Sequence, residues 1–412
     1  MMTRSIAGID VHKRVLMVVV GADSGAEEMR FERRRFGTTT SELRRLLGWL
    51  QQMGAQEVVM ESTAQYWKPV WLTLEGAFRL FLAQAWSNRA PRGKKADFKD
   101  AERLMRRHLA GELTLSFVPD AEQRTMRNLT RRRAQLTRDR VRIQNQVESL
   151  LEETRIKLSS MVSDLFGASG LRMLTALGEG ETNPGKLASL ADARVQRSEE
   201  ELADALNGVL TDTHRRILKQ HLAMLSLVDE QMAELSQLTA KTMHEYGEAI
   251  TRLAQIPGIR VLAAQQILAE AGPRASAFPS AAQFSSWIGV CPGREESAEQ
   301  NHSSRCAKGN IFLRRVLCQA AQAAVRTNNS FFQHKFRSLL PRLGYAKAVW
   351  AIARHLSVVI WKILHEGARY EERGSVSTPQ AIKRRIQRLK QDLHALGYSD
   401  ALIPLQTQAA GV

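Results

Sequence analysis

The run Ile6-Ala7-Gly8-Ile9-Asp10-Val11-His12-Lys13 is apolar and strand-like, and it carries one carboxylate at its end. A carboxylate in such a run is costly unless another group answers its charge. A second β-rich run, Val15 to Val20, ends in the turn cluster Gly21-Ala22-Asp23-Ser24-Gly25, and Met29 to Arg33 forms a third alternating stretch. Thr40-Ser41 offers N-caps for a helix whose Leu43, Leu46, Leu47 and Leu50 make an apolar stripe, with Gly54 as its stop. Glu57-Val58-Val59-Met60-Glu61 is a fourth strand, again ending in a carboxylate. A helix from about Tyr66 to Leu74, a strand Arg79 to Ala83, a basic loop Asn88 to Lys95 and a helix from Asp97 through Leu104 complete this region.

Three strands in meander followed by αβαβα is the order of a ribonuclease-H-like α/β fold. In that topology the first and fourth strands are neighbours, so Asp10 and Glu61 converge. Asp97 and Asp100 are three apart and leave one helix face together. Four clustered carboxylates repel one another unless a cation fills the gap. Hard oxygen donors suit Mg²⁺ (or Mn²⁺), which keeps waters and accepts a phosphate oxygen. Two such ions stabilise the attacking and leaving oxygens of a phosphodiester displacement.

The chain balances 59 basic against 42 acidic residues, a net charge of +17, which points to a polyanionic partner. There is no run of about 18 uninterrupted apolar residues, so no membrane span is expected. Met1 to Ser5 leads straight into the Asp10 strand without a signal-peptide layout. Cys291, Cys306 and Cys318 form no CxxC pair and fit a reducing cytoplasm. The long helix expected from Glu122 to Lys157 carries, between Arg124 and Arg142, the arginines Arg124, Arg127, Arg131, Arg132, Arg133, Arg138, Arg140 and Arg142 against the single acid Asp139. So one-sided a run cannot pair with itself at i,i+4, and phosphate binding is expected.

Residues from about 160 to 195 read as short helices and linker. Ser198 followed by Glu199, Glu200 and Glu201 marks a helix start. From there to Glu245 the spacing of Leu218, Leu225, Val228, Met232 and Leu235 suggests a coiled-coil hairpin or dimerisation helix. His214, His221 and His244 lie in this stretch and are assigned no role. Ile256-Pro257-Gly258-Ile259 with the following run to Gly272 reads as helix-hairpin-helix-like, able to aim backbone N–H groups at a phosphate. A polar loop reaches Gly309, and then come two helices striped by Leu313, Val316 and Leu317 and by Val349, Ile352, Leu356 and Ile360. Trp350 and Trp361 are expected in a core or interface, and the tail from Ala381 to Leu396 is expected to be a peripheral helix.

Ile9-Asp10-Val11-His12-Lys13, the Glu61 strand and Lys94-Lys95-Ala96-Asp97-Phe98-Lys99-Asp100-Ala101 resemble the DEDD transposases of the insertion-sequence 110 family. Ile256-Pro257-Gly258-Ile259, Phe284 to Gly293, Glu296-Ser297-Ala298, Lys308-Gly309-Asn310 and Leu313-Arg314-Arg315 extend the resemblance to about residue 330. It implies a RuvC-like N-terminal domain, a helical coiled-coil middle and a mainly helical transposase domain, here placed at 1–158, 159–248 and 249–345, with C-terminal helices and tail over 346–412. It also implies recombination of donor and target DNA under a bridge (guide) RNA, and catalysis by Asp10, Glu61, Asp97 and Asp100 on Mg²⁺. Ser297 is then the nucleophile that forms a covalent phosphoserine link, and the two sites meet between protomers of a dimer or tetramer.

Nucleic-acid contacts are expected from Lys13, Lys94, Lys95, Arg124, Arg127, Arg131, Arg132, Arg133, Arg138, Arg294, Arg305 and Lys308. One departure stands out. The family continues Ser-Ala-Gly-Lys or Ser-Gly-Gly-Lys, whereas Glu299-Gln300 follow Ser297-Ala298 here. Two other functions fit the residues: a metal-dependent junction endonuclease that uses water in place of the serine, and a non-catalytic nucleic-acid-binding protein.

Overall fold

The computed structural model describes residues 4–23, 31–62, 64–88, 98–293, 295–297, 300–303, 306, 308–372, 374, 386–387 and 390. The chain divides into two units, Met1–Asp120 and Ala121–Val412.

In the first unit β1 (Arg4–Val11), β2 (Val15–Asp23) and β3 (Phe31–Gly37) form an antiparallel meander. After α1 (Thr40–Gln52), β4 (Glu57–Glu61) pairs parallel with β1; after α2 (Trp67–Leu74), β5 (Arg79–Ala83) pairs parallel with β4. The sheet order β3-β2-β1-β4-β5 is that of the ribonuclease-H-like fold, as expected. The period-2 alternation of the strands sorts their side chains. Ala7, Ile9 and Val11 enter the main core with Leu46 and Leu50 of α1 and Val70 and Leu74 of α2. Ile6 and Val59 face the other way and pack on Leu104 and Met105 of α3 (Lys99–Leu109). Thr40-Ser41 do not cap α1. Its N-cap residue is Thr39, which makes no side-chain cap bond.

The second unit begins with α4 (Ala121–Glu153), the arginine-rich helix, so this helix packs with the second unit. Short helices α5 (Leu158–Met161), α6 (Ala168–Glu179), α7 (Pro184–Ala188) and α8 (Glu199–Ala205) follow. Ser198 and Glu201 form a reciprocal capping box at the start of α8, where the sequence marks a helix start. The helical region expected to run on to Glu245 is broken: α9 spans Asp212–Thr242, with its own cap at Thr211. The pairs Arg133–Ser236, Arg140–Asp229 and Glu153–His214 run in opposite chain directions, so α9 lies antiparallel along α4.

Then come α10 (Gly247–Ala254), α11 (Val261–Ala271) and α12 (Ala281–Ile288). A two-stranded ribbon, β6 (Glu295–Ser297) and β7 (Gln300–Ser303), leads to α13 (Ile311–Ala324) and α14 (Phe331–His365). α14 contains Pro341 and is interrupted at Gly344, whose φ of 72° leaves the helical region. Among the described residues it is the one helix long and apolar enough by composition to cross a membrane. Its Val349, Ile352, Leu356 and Ile360 are buried, and the helix packs against α12 and α13. Trp361 is a core residue, its Nε1 donating to Phe278 O at 2.8 Å. Most of the expected tail helix lies outside the described residues.

Candidate active site

The register of β1 and β4 fixes the first half of the site. Ile9 pairs with Met60, so Asp10 and Glu61 follow at adjacent strand ends. By alternation both stand on the α3 face, two residues beyond Gly8 and Val59. Gly8 sets how close α3 comes. A Cβ there would lie 2.2 Å from Ala101 O and 3.0 Å from Met105 Cβ, so only a glycine admits this helix. The close crossing brings Asp100, one residue before Ala101, into the field of Asp10.

Asp10 is 15% exposed, and His12 Nε2 lies 3.0 Å from its Oδ2. Burial holds the Asp10 carboxyl above its usual range. His12 pulls it down, and the like charges of Asp100 and then Glu61 push it up again. Asp100 Oδ1 accepts from Arg103 Nη2 at 2.7 Å, and Glu61 Oε2 accepts from Asn88 Nδ2 at 3.1 Å. Asp10, Glu61 and Asp100 thus share one electrostatic neighbourhood. Among the described residues no three Asp, Glu, His or Cys side chains form a group close enough to hold a metal ion. Asp97 lies outside the described residues, as do Lys94 and Lys95.

The serine segment is a hairpin. Glu295 pairs with Ser303, Glu296 with Asn301, and Ser297 with Gln300 as the closing pair. The departure at Gln300 therefore falls directly across the ribbon from Ser297. The side chain of Ser297, and Arg294 and Arg305, lie outside the described residues.

The ribbon's C-terminal base is firmly held. Gly309 packs against the Ile288–Gly289 backbone, where a Cβ would meet carbonyl atoms at 2.4 Å. Asn310 N donates to Trp287 O at 3.1 Å, and Asn310 Oδ1 caps α13 by accepting from Phe312 and Leu313 N–H. Asn310 Nδ2 donates to Glu270 Oε2 at 2.7 Å. Glu270 is 2% exposed and also takes a bidentate pair from Arg131, at 2.7 and 2.8 Å, with Arg127 Nε at 3.4 Å.

Two family models match this chain. A DEDD transposase model of the IS110 type covers residues 7–156, and the model "Transposase IS116/IS110/IS902 family" covers residues 250–336, together more than half of the chain. The chain is an IS110-family DEDD transposase.

The transposase is 28% identical over 324 residues to a probable family 20 transposase of Pseudomonas aeruginosa, covering 76% of this chain and 85% of that protein. It is 24% identical over 285 residues to the transposase for insertion sequence element IS1111A of Coxiella burnetii, covering 68% and 69%. Among solved structures, a Thermus thermophilus RuvC aligns with a TM-score of 0.23 at 14% identity, covering 27% of this chain and 99% of that one. The same protein in complex with a Holliday junction substrate aligns with a TM-score of 0.21 at 13% identity. Membership of the DEDD family implies dependence on a divalent metal.

Several arginines of the transposase read as phosphate ligands are occupied by protein. Arg127 is buried, donating to Ala269 O and Glu270 O, and Arg131 is bound by Glu270. Arg133 donates to Ser236 Oγ, and Arg140 pairs with Asp229 at 2.6 Å. Arg127 and Arg131 find their acid on α11 and Arg140 on α9, where helix-local counting cannot see them, while Arg142 pairs with Asp139 on α4 itself. Arg138 bonds to Gln135, Arg124 is half-buried, and Arg132, Lys13 and Lys308 are exposed. The residues that sequence reasoning passed over are Gly8, His12, Asn88, Arg103, Glu270 and Asn310. His12, two residues beyond Asp10 and just past the end of β1, was the most visible of these.

Proposed function

We propose that the transposase cuts, exchanges and rejoins DNA through Ser297 as nucleophile, with Asp10, Glu61, Asp97 and Asp100 as ligands of Mg²⁺ (or Mn²⁺). The observation that supports this reading is the adjacent strand-end placing of Asp10 and Glu61, with Asp100 near enough that both like charges add to burial in raising the Asp10 carboxyl. Asp10 lies in the field of Asp100 and Glu61, and these hard-oxygen acids are chemically suited to a small divalent cation, with Asp97 three residues before Asp100 as the fourth. When bound, the ion supplies charge stabilisation at the phosphoryl oxygens.

In the chemical step the Ser297 hydroxyl oxygen forms a bond to phosphorus and the bond from phosphorus to the departing strand oxygen breaks. The hydroxyl proton leaves Ser297, and the departing oxygen takes up a proton to become a strand hydroxyl. A strand hydroxyl of the partner DNA then displaces Ser297 in the reverse sense, and the number of phosphodiester bonds is conserved. His12, bonded to Asp10, is placed to hold a proton beside the carboxylates.

A bridge RNA pairing with donor and target DNA guides the choice of site. The protein works as a homo-oligomer, a dimer or tetramer, in which the carboxylates of one protomer serve the serine of another, with α9 as its coiled-coil contact. The turn between α10 and α11 acts as a helix-hairpin-helix-like phosphate contact. The exposed Arg132, Lys13 and Lys308 support binding to nucleic acid in the bacterial cytoplasm, at the nucleoid.

The deciding experiment compares Ser297→Ala with Asp10→Ala in a strand-transfer assay on the element's own ends, with denaturing gels to trap protein–DNA adducts. Both variants are expected to abolish transfer, and Ser297→Ala to abolish the adduct. Transfer that survives Ser297→Ala while Asp10→Ala kills it overturns the covalent-serine reading. RNA copurifying with the protein is expected to be enriched in one species transcribed from the flanking DNA. A heterogeneous pool overturns guidance.

A further inference from the structure

Ala85–Asn88 form a short 3-10 turn after β5. Two arginines of α3 hold this turn by its carbonyls: Arg103 Nε donates to Asn88 O at 3.3 Å, and Arg107 Nη1 to Ser87 O at 2.6 Å. The guanidinium of Arg103 also holds Asp100 Oδ1 at 2.7 Å. The Asn88 side chain donates from Nδ2 to Glu61 Oε2 at 3.1 Å. Asn88 is therefore tied to two site carboxylates, directly to Glu61 and through Arg103 to Asp100.

Charge sets the orientation of its amide, because the reverse orientation would press Oδ1 against the Glu61 carboxylate. As a result Oδ1 is buried, in a residue 3% exposed, with no hydrogen-bond partner among the described residues. An orphaned buried acceptor has given up its bonds to water without replacement, which destabilises the fold. In native proteins such a group calls for an explanation, and an ion, a water or a chemical role supplies one. The Nδ2 bond to Glu61 fixes the amide that carries this orphaned oxygen, so Oδ1 is held one side chain away from the site carboxylates.

We propose that Asn88 belongs to the metal site, its Nδ2 fixing Glu61 and its Oδ1 supplying a neutral oxygen donor to a divalent cation or to a water on it. The proposal rests on the reading of Asp10, Glu61 and Asp100 as metal ligands. A neutral donor suits this place, since a fifth carboxylate would add to a repulsion that already weighs on Asp10. Mg²⁺ and Mn²⁺ accept amide and carbonyl oxygens alongside carboxylates.

The test titrates Mn²⁺ into the full-length protein and reads free Mn²⁺ by electron paramagnetic resonance, for wild type, Asp10→Asn, Asn88→Ala and Asn88→Asp. Wild type is expected to bind and Asp10→Asn to lose binding. Asn88→Ala is expected to weaken binding by about tenfold or more, the effect typical of losing a supporting ligand contact. Asn88→Asp, which keeps an oxygen donor but loses the Nδ2 bond to Glu61, is expected to bind more tightly than Asn88→Ala. Asn88→Ala binding within about twofold of wild type, or Asn88→Asp binding as weakly as Asn88→Ala, overturns the proposal. Wild type and Asp10→Asn behaving alike overturns the carboxylate site itself, and this inference with it.

Discussion

Two of the places where the transposase holds an acid away from water treat it in opposite ways. At Glu270 the cations come to the acid: Arg131 by two bonds, Arg127 at 3.4 Å, and the Asn310 amide as a third donor. At Asp10 the neighbours are other acids, Glu61 and Asp100, with His12 as the counterweight to their repulsion. A carboxylate whose charge is answered by fixed donors is a strut. Asp10, pressed by like charges and answered by His12, is the acid that the proposed metal would relieve. The contrast separates structure from chemistry more sharply than burial does, since Glu270 is the more buried of the two.

The largest expected effect tests the chemical side. Asp10→Asn should lower strand cleavage by about a thousandfold or more, while the melting temperature in chelator stays level or rises because a repulsion has been removed. A clear fall in that melting temperature would mean that Asp10 is a strut after all. Glu270→Ala should do the converse. It leaves the buried Arg127 and the half-buried Arg131 without their acid, at a cost of about 3–5 kcal/mol, read as a lower urea midpoint. Mn²⁺ affinity should not move. Unchanged stability would show that the arginines find other partners.

How much of this was legible in the sequence follows the same divide. Asp10 and Glu61 were visible because strand alternation and strand-end position are local patterns, and a five-residue run suffices to show them. The reciprocal cap at Ser198 and Glu201 was visible for the same reason. The fate of Arg127 and Arg131 was not, because their acid lies 143 and 139 residues further on, on another helix. Asn88 read as the first residue of a basic loop, since nothing local says that its amide would reach Glu61. The break between α8 and α9 was missed because the apolar spacing carries on across it, and only the cap at Thr211 marks the restart.

A third test bears on how α3 is delivered to the site. Gly8→Ala should cost about 1–3 kcal/mol by overpacking and, by shifting Asp100, about a hundredfold in cleavage rate. Full activity in that variant would detach α3 placement from the chemistry. The smallest effect is one of pH. The folded carboxyl of Asp10 lies above its unfolded value, so the native state binds the proton more tightly between the two values. Metal-free protein should therefore gain stability from this group as pH falls from neutral towards the unfolded carboxylate range, and lose it as pH rises through the folded value. Asp10→Asn should flatten the trend in urea titrations run in chelator, and a wild-type trend of the opposite sign would count against the mutual repulsion.

Gly8 also bears on how copies of such an element are judged. Insertion sequences multiply and decay, and a copy is commonly scored by whether its reacting residues survive. Here one added methyl group, on a residue with no functional atom of its own, should silence a copy that retains every acid and the serine. Counting intact elements in a genome then requires reading the glycine at the strand crossing together with the groups that do the chemistry.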